Sequence, residues 1–230
     1  MVFFLNKKIN DKFEKMIIGL SAGVMLSSSI WSLIIPSLEM RDGLLGNSLI
    51  STALGMVIGV GILIVIDNIF KMDDKNYNLK RMFNVMTIHN IPEGIVVGIT
   101  CSLILINNTD SLLFVSFLSL ALGISLQNFP EGLVVSFPFY INGYSKTKSF
   151  IYGFLSGAVE PIFSIITIIL SFMLYPILPI LLSISAGMMV YVVMFELIPE
   201  IITNEKINNN FGVFGFTFGF ILMMILDHII

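Results

Sequence analysis

Two short polar motifs interrupt otherwise apolar stretches: His89-Asn90-Ile91-Pro92-Glu93-Gly94 and Gln127-Asn128-Phe129-Pro130-Glu131-Gly132. Each sets a ring nitrogen or an amide four residues before a carboxylate. In a helix, residues three and four apart share a face. His89 therefore meets Glu93, as does Asn90, and Gln127 meets Glu131. Imidazole with carboxylate suits zinc, iron, manganese, cobalt, nickel or cadmium better than calcium or magnesium. The motifs hold no thiolate, which argues against copper(I). Two carboxylates neutralise a divalent cation, and neutral amides in the set keep the grip loose enough for release. Pro92 and Pro130 donate no amide hydrogen, so the carbonyls of Ile88 and Leu126 lose their helical partners. Each helix is expected to kink beside its polar cluster. Gly94 and Gly132 leave room for a neighbouring helix.

Other polar residues in apolar surroundings are weighed against plainer roles. Glu160, in Ser156-Gly157-Ala158-Val159-Glu160-Pro161, is a third buried acid, read as a ligand in preference to a structural acid paired with Ser or Asn. Glu196, Glu200 and Asp67 read first as interfacial charges, and otherwise as an exit or gating cluster. Met25 is a soft donor, although a chain with 14 Met uses most of them for packing. His228 reads as an interfacial residue. Asn107-Asn108-Thr109 matches a glycosylation sequon by chance. For the paired motifs the plain reading is glue between helices, but glue rarely needs two intramembrane glutamates.

The elements that position these residues follow from composition. Of 230 residues, 56% are apolar and 12% charged, and mean hydropathy is +0.96. Soluble domains carry about 25% charged residues. The chain reads as an all-α polytopic membrane protein. A net charge of −3 gives no pointer to nucleic acid. Cys101 is the only cysteine, which excludes an internal disulfide and a multi-cysteine metal site. Met1-Val2-Phe3-Phe4-Leu5 is too short for the core of a signal peptide, and it precedes the charges.

Seven stretches reach the roughly 20 residues a helical span needs: 16–36, 47–70, 82–106, 112–137, 149–174, 177–200 and 211–230. They form one expected transmembrane domain over 1–230, with a polar loop at 71–81. With alternating spans, Arg41 alone falls on one side and the remaining 11 of 12 basic residues on the other. That bias puts the N-terminus and the 71–81 loop in the cytoplasm and the C-terminus outside.

An internal repeat accompanies the spans. Ser21-Ala22-Gly23-Val24-Met25, followed by Pro36 and Glu39, parallels Ser185-Ala186-Gly187-Met188-Met189, followed by Pro199 and Glu200. These two helices run in opposite senses, as do the two motif helices. Inverted repeats around a central site are a transporter signature.

At these residues the sequence resembles the ZIP (Zrt/Irt-like) metal transporter family, in its prokaryotic branch. The matching pieces are HNIPEG, QNFPEG, SGAVEP, SAGVM with WSLIIPSLE, and SAGMMVYVVMFELIPE, in the family's order over nearly the whole chain. The resemblance implies eight helices with both termini outside and a binuclear site on the fourth to sixth. His89, Glu93, Gln127 and Glu131, with Met25 as an added ligand, would hold the first metal. Asn90, Asn128, Glu93, Glu131 and Glu160 would hold the second, the motif glutamates bridging. It also implies uptake of divalent metal into the cytoplasm across the plasma membrane, an elevator-like movement and a homodimer.

The chain departs from that pattern in places. Its first span matches the family's second helix, and Val2-Phe3-Phe4-Leu5 looks like the tail of the first, so the chain as given is expected to lack that helix. Gln127 stands where many members have His, and Asn128 where some have an acid, which suggests a weaker second site. The 71–81 loop has no His, against metal sensing there. The leading expectation is a zinc-like divalent metal transporter and not an enzyme, with metal ions and the bilayer as partners. The alternatives are a non-transporting metal-binding fragment and an intramembrane metalloenzyme. The latter lacks the HExxH signature, since Asn90 follows His89.

Overall fold

A computed structural model describes residues 11–40, 47–69, 77–106, 111–202 and 210–229. Arg41, Val2-Phe3-Phe4-Leu5, the sequon at 107–109, most of the 71–81 loop and the lysines at 7, 8, 71, 75 and 206 lie outside them. Among the described residues all regular structure is helical. Seven long helical runs follow in order: α1 Asp11–Glu39, α2 Ser48–Ile69, α3 Tyr77–Ile106, α4 Ser111–Ile141, α5 Lys146–Leu174, α6 Leu178–Ile202 and α7 Asn210–Ile229. An apolar chain in lipid must pair its backbone within each segment, which helices do.

By length and composition, five stretches suffice to cross a membrane among the described residues: Asp11–Glu39, Ser48–Ile69, Lys146–Ser171, Leu178–Ile202 and Asn210–His228. The motif helices α3 and α4 run for 30 and 31 residues. Burial separates the centre from the rim. The apolar windows of α1 and α6 are 61% and 67% buried, against 22–28% for α2, α5 and α7. The exposed side chains of the rim helices are apolar, among them Val57, Ile165, Ile169, Phe214 and Phe218. That is the surface expected of a protein whose solvent is lipid.

Helix α1 packs most extensively on α7, α2 on α6, and α3 on α5, while α4 touches α5, α3 and α1. Small residues set these pairings by letting backbones approach. A Cβ on Gly23 would collide with the backbone of Phe216, and one on Gly187 with the backbone of Met56. Helices α1 and α6 share a second feature. Each widens into a π-helical turn, at Ser29–Ile34 and Val193–Leu197. In both, the residue before a proline bonds five residues back, from the Ile35 amide to the Ile30 carbonyl and from Ile198 to Val193. A proline ring clashes with the carbonyl four residues earlier, and a wider turn relieves the clash.

Candidate metal centre

The motif faces converge between α3, α4 and α5. His89 and Glu93, one turn apart on α3, face Glu131 on α4. One ligand atom from each of the three lies within 4.8 Å of the other two. The imidazole Nε2 of His89 is 3.4 Å from Oε2 of Glu131. Its Nδ1 is 3.3 Å from the Val85 carbonyl. A carbonyl only accepts, so Nδ1 carries the hydrogen, and in the neutral ring Nε2 keeps its lone pair toward Glu131. This is the ring orientation a metal-binding histidine needs.

The amides orient the rest. Gln127 donates from Nε2 to Glu93 Oε1 at 2.7 Å. Asn128 donates to Glu160 Oε2 at 2.5 Å, and Asn90 to the Ser156 carbonyl on α5 at 2.9 Å. Turning either amide of Gln127 or Asn128 over would set oxygen against carboxylate oxygen, so these orientations follow from charge. Each amide thus directs its hydrogens to an acceptor. Left buried without hydrogen-bond partners are His89 Nε2, Asn90 Oδ1, Glu93 Oε2, Gln127 Oε1, Asn128 Oδ1, both oxygens of Glu131 and Glu160 Oε1. Buried polar atoms are almost always partnered. A concentration of unpartnered atoms that are all acceptors calls for positive charge. His89, Glu93 and Gln127 are at most 1% exposed, so bulk water does not supply it. Either bound protons or a cation must compensate three buried carboxyl groups.

Helix packing brings α5 into the centre. Gly94 follows Glu93 directly, and a Cβ there would meet the backbone of Glu160. The Ser164 hydroxyl, one turn beyond Glu160, donates to the Gly94 carbonyl at 2.8 Å. Glu160 is thereby fixed beside the α3 motif. Met25 is fully buried on α1, where it belongs to the hydrophobic core.

The three remaining candidate acids, Asp67, Glu196 and Glu200, divide. Asp67 and Glu196 both bind Arg81: its Nε and Nη2 reach the two Asp67 oxygens at 2.7 and 2.6 Å, and Nη2 lies 2.8 Å from Glu196 Oε1. Glu200 is exposed and lines a cleft with Glu14, Leu133 and Val134. Arg81 and Tyr191, whose hydroxyl donates to Asp67, went unnoticed in the sequence as partners of these acids. The available signal was an acid closing one apolar stretch and a base opening the next. Asp227 on α7 was also passed over. It accepts from Ser32 Oγ at 2.8 Å, in the π turn of α1.

An apolar helical bundle enclosing imidazole, carboxylates and unpartnered amide oxygens is the build of a membrane protein whose interior side chains could hold a cation. Residues 82–227 match the family model described as ZIP zinc transporter. That is well over half of the chain, which belongs to the ZIP family.

Named relatives agree. Over 142 residues the chain is 44% identical to zinc transporter ZIP11 of Homo sapiens and 39% to that of Xenopus tropicalis. These matches cover 62% of this chain but 40% and 41% of those proteins, so the chain spans well under half the length of its ZIP11 relatives. Zinc transporter ZupT of Clostridium perfringens is 28% identical across 97% of this chain and 88% of its own.

Proposed function

We propose that the chain carries divalent transition metal, zinc foremost, through the membrane by way of the α3–α4–α5 centre. The observation that carries this reading is the convergence of His89, Glu93 and Glu131 within 4.8 Å, beside the amides of Asn90, Gln127 and Asn128, whose oxygens are left unpartnered. A hydrated dication gives up water only where other lone pairs replace it. The imidazole and carboxylates do so and neutralise its charge, and protons replace it when it leaves. Cadmium, iron, manganese, cobalt and nickel suit the same donors. The names of the relatives speak of transport and not of catalysis.

Finer features belong to the same proposal. Glu93 and Glu131 bridge two metals, the second held by Asn90, Asn128 and Glu160. All seven helices cross the plasma membrane, with the first described helix starting in the cytoplasm, and metal moves inward. Matching π turns and matching glycine contacts in the α1–α7 and α2–α6 pairs support an inverted repeat. Every motif ligand sits on α3, α4 or α5, which supports an elevator-like shift of these helices against the other four. A homodimer is part of this reading.

The test is uptake of zinc, cadmium, manganese, iron and cobalt into proteoliposomes by the parent chain and by Glu93→Ala. Uptake by the parent, abolished in the variant while protein still inserts, is expected. Equal uptake by both sinks the proposal. Glu93-dependent binding with no uptake identifies a metal-binding scaffold instead.

A further inference from the structure

We propose that Arg81 is a latch for transport, a positioning residue that pins α3 to α2 and α6 and must let go each time the motif helices move. The inference rests on the transport reading above. One guanidinium closes on two carboxylates from two different helices. Its Nε and Nη2 form a two-pronged grip on Asp67, at 2.7 and 2.6 Å, at the end of α2. Its Nη2 and Nη1 also reach Glu196, at 2.8 and 3.4 Å, in the π turn of α6. The Tyr191 hydroxyl adds a further bond to Asp67 from α6. The side chains of Arg81, Asp67 and Glu196 are only 19%, 11% and 13% exposed. Charge-assisted, planar two-pronged contacts in such shelter are strong and direction-specific.

The placement turns a salt bridge into a latch. Helices α2 and α6 approach backbone to backbone at Gly55, Gly59 and Gly187, so the acceptors sit on one stiff unit. Helix α3 is joined in the same manner to α5, through Gly94 and Gly98. Arg81 therefore belongs to the unit that carries His89 and Glu93. It lies two turns before His89, about 12 Å along the same helix. Helices α2 and α3 otherwise touch only briefly, which leaves the guanidinium as a principal tie between them. A rigid shift of α3 by a few ångströms carries it beyond the ~4 Å reach of an ion pair. The basic-residue bias assigns this end of the bundle to the cytoplasm.

A reversible tether tests it. With Cys101 replaced by serine, Asp67→Cys with Arg81→Cys is joined by a short bis-methanethiosulfonate. A second pair, Arg81→Cys with Glu196→Cys, guards against one pair folding poorly. Zinc uptake into proteoliposomes is expected to fall at least about tenfold when tethered, to return after reduction, and to leave Glu93-dependent zinc binding in place. Tethered protein that transports as fast as reduced protein overturns the latch, because a merely structural ion pair tolerates being fixed. If the untethered parent also moves no zinc, the transport reading itself has failed.

Discussion

Asn128 shows how a single side chain shapes the centre. Its Nδ2 holds Glu160 Oε2 at 2.5 Å, while its oxygen stays unpartnered. Asn128→Ala removes the donor and leaves a buried carboxylate oxygen unsatisfied, a loss of about 1–3 kcal/mol. A lower unfolding temperature in detergent, restored by saturating zinc through binding to the folded state, is expected from thermal melts. An unchanged melt would mean that Glu160 does not depend on this bond. The ligand types themselves were legible in the sequence, because i and i+4 spacing on a helix is local geometry. The direction of each amide was not. Gln127 read as a metal donor, and the structure shows it donating to Glu93 as well as offering its oxygen. That choice depends on a carboxylate 34 positions away.

At the scale of the elements, close backbone approach decides which helices carry the centre together. Gly94→Leu would drive a side chain into the backbone of Glu160 and force α3 from α5. Overpacking of this kind costs about 1–3 kcal/mol or more, and it displaces Glu160 from Glu93. Zinc titration by calorimetry should show weakened binding in Gly94→Leu. Gly157→Ala on α5 is the control, since nothing lies within 4 Å of a Cβ there. It should be neutral or gain about 0.5–1 kcal/mol from helix propensity. Equal effects at both positions would refute the packing argument. Gly94 was singled out in the sequence as a site of close approach, but its partner was not named. The expected kinks were placed at Pro92 and Pro130. The helices run on through both prolines, and π turns also precede Pro36 and Pro199, where the wider turn bonds around the proline.

For the whole molecule, orientation is the open consequence of charge distribution. With 11 of 12 basic residues assigned to one side, a fluorescent protein fused after Ile230 should stay dark outside the cytoplasm, and alkaline phosphatase fused there should be active. Bright fluorescence with inactive phosphatase would reverse the orientation. Helical class and family were legible from the sequence alone, because apolar length and paired proline-glutamate motifs are properties of short, contiguous stretches. The tertiary structure decided which stretches form the centre and which the rim, how the unpartnered oxygens face one another, and that Asp67 and Glu196 share Arg81. Those are contacts between residues far apart in the chain, such as Arg81 and Glu196, 115 positions apart. No local spacing specifies them, since they arise only when small residues let particular helices pack backbone against backbone.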